Sequence, residues 1–424
     1  GDIMFKTKSK VVMAAVTAAA LAFTIGNVPA SAASGDVEVF SWWTSGSESA
    51  ALDSIISAAK SANPGMNVIN AAVAGGAGTN AQQVLATRIA GGDLPELWQT
   101  HPGGALKGYV DQGVLADMTS LYKSEGWTKV VPKELVASLT YSGKIYSVLT
   151  GVHRGNTVWI SAAAQKKAGT NLGGKLTWSA FKAAALKMKA KGIAPLCLGD
   201  KDIWTAAQLL EGLIVAEEGA TGWNALLSGK KSWADAGVKT AIAHFNEALT
   251  WANADHKALD WTGAVAALAK GTCGVNLMGD WAYGELLVKQ KAIDGKDFTY
   301  GVFGDPNVFV TVGDSFVIGK TAKNQAGAIA FAKAIMDPKV QIAFSKLKGS
   351  SPVRSDVNTK SLGKYQQAAA KTLATGQRIP SLTHGQANVA AAVSQAYSDA
   401  VTLLEANKDA AKFAKALNLA IASN

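Results

Sequence analysis

Val37-Glu38-Val39-Phe40-Ser41-Trp42-Trp43-Thr44-Ser45-Gly46-Ser47-Glu48 is the stretch whose reading decides the fold. Val37 to Trp43 is rich in β-branched and aromatic residues and reads as a strand. Leu52, Ile55, Ile56 and Ala59 then recur at helical spacing, and Asn63-Pro64-Gly65 stops that helix. Met66 to Val73 reads as a second strand, Gly75-Gly76-Ala77-Gly78 as a loop, Ala81 to Ile89 as a helix and Pro95 to Gln99 as a third strand. This β-α-β-α-β order predicts a mainly parallel sheet with helices on its faces. The glycine loop lacks Gly-Lys-Ser/Thr and a G-x-G-x-x-G frame, so it is not a phosphate cradle. Further on, Trp159 to Leu287 reads as helix-dominated and holds eight of the 12 Trp. Helices are expected from Thr177-Trp178-Ser179 to Lys191-Gly192, over Ala207–Glu218 and over Val238–Asn253. The strand signal returns at Tyr300–Phe303 and Val308–Val317, followed by helices at Gln325–Met336 and Val340–Leu347 and a helical last stretch ending in Ala410–Ala422. Strand signals on both sides of a helical middle suggest interleaved lobes with more than one crossing.

The chain has 424 residues, 48% hydrophobic and 17% charged, which is enough for two or three domains with real cores and too apolar for a disordered chain. Its net charge of +10 points superficially to nucleic acid. Only four of the 41 basic residues are Arg (Arg88, Arg154, Arg354, Arg378), and the Lys are dispersed, so no groove-reading face is built. Part of the charge belongs to the N-terminus. Lys6, Lys8 and Lys10 precede an apolar run from Val11 to Val28 and a small-x-small site at Ala30-Ser31-Ala32, the pattern of a secretory signal peptide. An N-terminal membrane anchor is the alternative, but the run ends in a cleavage site rather than a charged stop. Gly1-Asp2-Ile3, ahead of Met4, reads as an upstream remnant, and residues 1–33 form the signal region. The rest carries 38 basic and 30 acidic residues, a net +8, and no later stretch reaches the roughly 20 apolar residues of a membrane span. An exported chain permits disulfides. Cys197 and Cys273 are candidates for one structural bridge, two buried free thiols being the alternative, and without C-x-x-C a redox role is not indicated.

Ligands of open α/β sheets bind beyond the carboxyl ends of the strands. If the first and third strands are parallel, Trp42, Trp43, Glu48, Gln99 and His101 share one rim. Indole faces pack on the C–H face of a pyranose, while carboxylate, amide and imidazole groups bind its hydroxyls, so the set suits a sugar. Each residue also has a plainer reading. Ser45-x-x-Glu48 fits a helix capping box. Strand alternation sends one of Trp42 and Trp43 to the core. Gln99 could satisfy turn backbone, and His101 before Pro102 could be a loop histidine. Lys348-Gly349 fits a helix C-terminus, and Gly279-Asp280-Trp281 and Gly313-Asp314-Ser315 fit turns. The five His show no H-E-x-x-H or H-x-H spacing, and no nucleophile motif or metal cluster supports an enzyme. A secreted glycosidase would need Glu48 and Asp314 to flank one bond.

Several segments together resemble bacterial extracellular solute-binding proteins of the sugar-binding family 1, the receptors of ABC importers. They are Ala62-Asn63-Pro64-Gly65, Pro95-Glu96-Leu97, Met278-Gly279-Asp280-Trp281 and Lys346-Leu347-Lys348-Gly349-Ser350-Ser351-Pro352-Val353-Arg354. The paired Trp followed by Glu, Gln-x-His at the third strand, Gly-Asp-Ser-Phe and a late His are similar to the glucose/galactose-binding branch. Ser350-Ser351-Pro352 departs from relatives that carry a bulkier residue before Pro. The resemblance implies an α/β, maltose-binding-like architecture of two interleaved lobes joined by a hinge, with residues 34–148 plus 310–350 in one and 149–309 plus 351–424 in the other. It implies a ligand in the cleft between them, held by Trp42, Trp43, Glu48, Gln99, His101, Asp314 and Lys348 on one side and Trp261, Trp281 and His384 on the other. Asp280, His153, Arg154 and Asn156 are weaker candidates, the last three read first as crossover structure and only second as ligand contacts. The implied protein is a periplasmic, monomeric, non-enzymatic receptor without cofactor. Its ligand is a monosaccharide, glucose or galactose, with an oligosaccharide or polyol as alternative, and its partners are ABC permease subunits.

Overall fold

Gly35–Phe40 forms the opening strand, with Met66–Asn70 parallel on one side and Leu97–Thr100 parallel on the other. These are observations on a computed structural model, which describes residues 32–44, 46–75 and 78–424. The signal peptide expected over residues 1–33 lies outside the described residues except at its end, as do Ser45 of the capping box and Gly76-Ala77. The helix between the first two strands, Gly46–Ala62, turns Ala51, Leu52, Ile55 and Ala59 onto the sheet. Each buried Leu or Ile side chain contributes roughly 1.5–3 kcal/mol. Leu97–Thr100 also pairs antiparallel with the far end of an 11-residue strand, Val308–Ile318. The other edge of that strand takes Val148–Arg154 antiparallel, and its start takes Gln377–Pro380 parallel. These six strands make the first sheet.

A second sheet of five strands runs in the spatial order Gly174–Leu176, Phe298–Phe303, Val158–Ser161, Cys273–Leu277, Ala194–Leu196. The middle of the chain is therefore not merely helical, as its sequence suggested. Val158–Ser161 and Cys273–Leu277 are buried at every position, and so is Val148–Arg154. A strand covered on both faces shows no polar–apolar alternation, and three to five residues are too few to separate it from a helix by periodicity. Gln377–Pro380 is a strand where the last stretch read as helical, and the expected second strand stops at Asn70. The helix expected to end at Glu218 continues to Leu227 through a kink at Gly219, whose φ of 63° only glycine adopts without strain.

Two hydrophobic cores form among the described residues, each drawing on strands of both sheets, and the architecture is the two-lobe α/β arrangement. The changes of lobe expected at residues 148 and 309 fall inside strands of the first sheet. The chain leaves that sheet after Arg154 and enters the second at Val158, and it returns between Phe303 and Val308. Cys197 and Cys273 form a disulfide with a Cα–Cα distance of 5.3 Å, tying the edge strand Ala194–Leu196 to its parallel neighbour.

Candidate functional site

The parallel pairing of Gly35–Phe40 with Leu97–Thr100 brings their exits together. Trp42 meets His101 edge-on with ring centroids 5.3 Å apart. The strand ends at Phe40, short of the expected Trp43, so Trp42 and Trp43 divide without strand alternation. Trp43 packs between Phe316 and Phe344, while Trp42 is the more exposed of the two. Both border a cavity of about 40 Å³ that also meets Glu48, His101, Val312, Asp314, Lys348 and His384. Opposite lie Trp204, Trp261 and Trp281, each the first residue of a helix. The side chain of Asp260 caps the second of these helices on Gly263 N–H. The loops before Trp204 and Trp261 are locked together: buried Asp200 accepts from His256 Nδ1 at 2.5 Å and lies 2.7 Å from Lys257 Nζ. Gly199 sits so close that a Cβ there would stand 2.0 Å from the Asp260 carbonyl oxygen.

The polar floor is a chain of charges. Lys348 ends the helix Pro338–Lys348, and Gly349 (φ 91°) turns the chain away in the left-handed region. Its Nζ donates to Glu48 Oε1 at 2.9 Å, lies 3.7 Å from Asp314 Oδ2 and stands 5.2 and 5.8 Å from the ring centres of Trp43 and Trp281. Burial lowers the affinity of Lys348 for its proton, but Glu48 and Asp314 outweigh it and the pKa is raised. Burial alone would push Asp314 up, yet Lys348 and His153 hold it well below the usual carboxylate range. Asp314 Oδ2 takes a hydrogen bond from His153 at 3.1 Å, while no hydrogen bond from the described residues reaches Oδ1. Glu48 is thus spent on Lys348. In the first turn of its helix Glu285 accepts from Ser47 N–H at 3.2 Å.

Two histidines face the same space with fixed tautomers. His101 Nδ1 donates to the Gly313 carbonyl at 2.8 Å, so its Nε2 is a bare acceptor. His384 Nε2 donates to Gln208 Oε1 at 3.0 Å, with the Gln208 amide donating to Gly155 O, so its Nδ1 is the acceptor. Burial lowers the pKa of both, against the pull of Asp314, and keeps them neutral. The loop carrying His384 is held by buried Glu211, which accepts from Ser381 Oγ (2.7 Å), Leu382 N–H and Thr383 N–H (both 2.8 Å). Because the folded pKa values of these histidines are depressed, the stability they allow is present above the ordinary value near 6.5 and is lost as pH falls below it. Thermal melts should therefore show a falling midpoint below about pH 6.5, and a His101→Asn/His384→Asn double variant should flatten that limb. An unchanged slope would refute the assignment.

Of the residues expected at the site, the cavity gathers Trp42, Trp43, Glu48, His101, Trp261, Trp281, Asp314, Lys348 and His384, and adds Trp204 and Val312. Five stand off its wall. Gln99 Oε1 accepts from Trp42 N–H at 3.2 Å, which leaves Nε2 a buried donor without a partner among the described residues. Arg154 is consumed by the carbonyls of Pro306 (2.6 Å) and Val308 (2.8 Å), and Asn156 by Val308 O and Val310 N–H, so both are crossover structure. His153 and Asp280 are bonded to each other, fully buried. Trp204 and Glu211 escaped sequence reading. The signals that could have found them are a third Trp opening a helix and a lone carboxylate within Leu209-Leu210-Glu211-Gly212-Leu213.

The family model for bacterial extracellular solute-binding proteins matches residues 43–342. The chain belongs to this family. Among relatives of this solute-binding protein, a probable sugar-binding periplasmic protein of Rhizobium meliloti (strain 1021) is 32% identical over 400 residues, covering 91% of this chain and 93% of that one. A solved chitin oligosaccharide binding protein superposes with a TM-score of 0.78 at 18% identity, covering 92% of this chain and 99% of the other. The solute receptor AcbH, described with an exclusive preference for β-D-galactopyranose, gives 0.77 at 18% identity over 92% and 98% of the two chains. No helix among the described residues is long and apolar enough to cross a membrane.

Proposed function

We propose that this solute-binding protein is the receptor of an ABC importer, enclosing a monosaccharide, D-glucose before D-galactose, and presenting it to permease subunits. One observation carries the reading. Indole rings from several elements surround a cavity whose remaining groups are mostly acceptors: Asp314 Oδ1, His101 Nε2 and His384 Nδ1, with Lys348 as the charged donor. Pyranose hydroxyls need many acceptors, and their ring faces need flat apolar surface. The sugar-binding designation of the Rhizobium relative supports the ligand class. The lobes would close by hinge motion about residues 155–157 and 304–307, with a third crossing at Ser350-Ser351, where Ser351 and Val152 exchange backbone hydrogen bonds. Contacts to sugar from both lobes favour the closed form. Export by a cleaved signal segment places the receptor in the periplasm.

The same charges support binding without turnover. A glycosidase needs one carboxyl protonated as acid and a second as base or nucleophile. Asp314 and Glu48 instead converge on one ammonium, and Asp314 is held ionised. The deciding experiment is calorimetry with glucose, galactose, xylose and maltose in parallel with Trp fluorescence. The expected result is a fluorescence shift and binding for an aldohexose, with the sugar recovered unchanged. No response to any aldohexose from a folded protein refutes the monosaccharide reading, and binding of maltose alone would favour an oligosaccharide.

A further inference from the structure

His153 sits in the strand Val148–Arg154 with no exposed surface. Its Nδ1 meets Asp280 Oδ1 and its Nε2 meets Asp314 Oδ2 at 3.1 Å. Asp280 also accepts from Arg154 N–H and from the Tyr365 hydroxyl, both at 3.1 Å. As carboxylates, both partners of the ring can only accept. A neutral imidazole has one N–H, so one of its nitrogens would aim a lone pair at a buried oxygen. The imidazolium donates from both.

We propose that His153 is a positioning residue that keeps its proton at neutral pH, a clasp that fixes Asp314 with Oδ1 turned to the ligand and joins it to Asp280 at the start of the Trp281 helix. This rests on the reading of the pocket given above. The clasp links three elements: the crossover strand, the strand Val308–Ile318 and the helix Trp281–Val288. Trp281 covers the ring edge-on at 5.2 Å. The titratable groups around it are Asp280, Asp314, Lys348, Tyr365, His101 and His384. Burial and Lys348 work against the proton, the two aspartates for it, and the balance raises the pKa of His153. A raised folded pKa means that the clasp is complete at and below the ordinary histidine range and is lost as pH rises through the folded value.

Nitrogen-15 NMR of histidine-labelled protein tests this without any ligand. The chain has five His. At about pH 8, well above the ordinary value near 6.5, one ring should still show two protonated nitrogens, and His153→Gln should remove that signal. Asp280→Asn should shift its titration to lower pH. In calorimetry with D-glucose at about pH 7, His153→Gln should bind at least roughly tenfold more weakly while melting cooperatively. Neutral signatures for all five rings at about pH 8 in the folded protein would overturn the clasp. So would wild-type affinity in a folded His153→Gln. An imidazolium signal in a protein that answers to no sugar would overturn the reading of the pocket and leave the clasp standing.

Discussion

Asp314→Ala is expected to remove nearly all sugar binding, raising Kd by roughly 10²–10³-fold. The carboxylate has two duties. Its Oδ1 is the acceptor proposed to face the ligand, and its Oδ2 neutralises Lys348 and His153, at 3.7 and 3.1 Å. Removing one partner of a buried charge pair leaves the others uncompensated, at about 3–5 kcal/mol. Part of that loss falls on stability, so the melting point should drop with the affinity. Lys348→Ala should behave alike, because it strands Glu48 and Asp314 together. Glu96→Ala is the contrast. Glu96 is buried too, but it accepts from the N–H groups of Glu38 (2.8 Å) and Asn324 (3.3 Å), away from the cavity. It should cost stability and leave Kd for D-glucose within about twofold. Equal affinities across the three variants would remove the site assignment.

Loss of the disulfide should have the largest effect on stability. Cys197 and Cys273 are separated by 76 residues. Closing a loop of that length restricts the unfolded chain by about 4 kcal/mol in the chain-entropy model. The Cys197→Ser/Cys273→Ser variant should therefore melt on the order of 10 °C lower, and reductant should reproduce the shift in the parent protein only. The bond also anchors the segment that runs from Cys197 through Gly199 and Asp200 to Trp204, so the variant should bind sugar more weakly as well. Identical melting curves with and without reductant would refute the stabilising role.

The rim at Trp42, Glu48 and His101 was legible because two parallel strands must deliver their ends to the same side of a sheet. Asp314 and Lys348 were harder to read. Gly-Asp-Ser and Lys-Gly look like ordinary turn and cap signals, and Lys348 does end a helix with Gly349 as its left-handed cap. Only the resemblance to a family singled them out. Of the second sheet only Tyr300–Phe303 was legible, because its other strands are three to five residues long and the two central ones among them are buried at every position. His153, Arg154 and Asn156 fit the first of their two readings, crossover structure: buried polar groups at and just after a strand buried at every position are satisfied internally.

Glu285 has a further consequence for how the walls of the cavity are joined. It belongs to the helix that follows the second sheet's strand Cys273–Leu277, and it caps the helix Gly46–Ala62 of the first sheet at Ser47. Gly46 leaves it room, since a Cβ there would stand 2.2 Å from the Glu285 carboxylate. This bond needs no sugar. It joins the helix that opens on Trp281 to the helix that carries Glu48, so two walls of the cavity share one buried carboxylate.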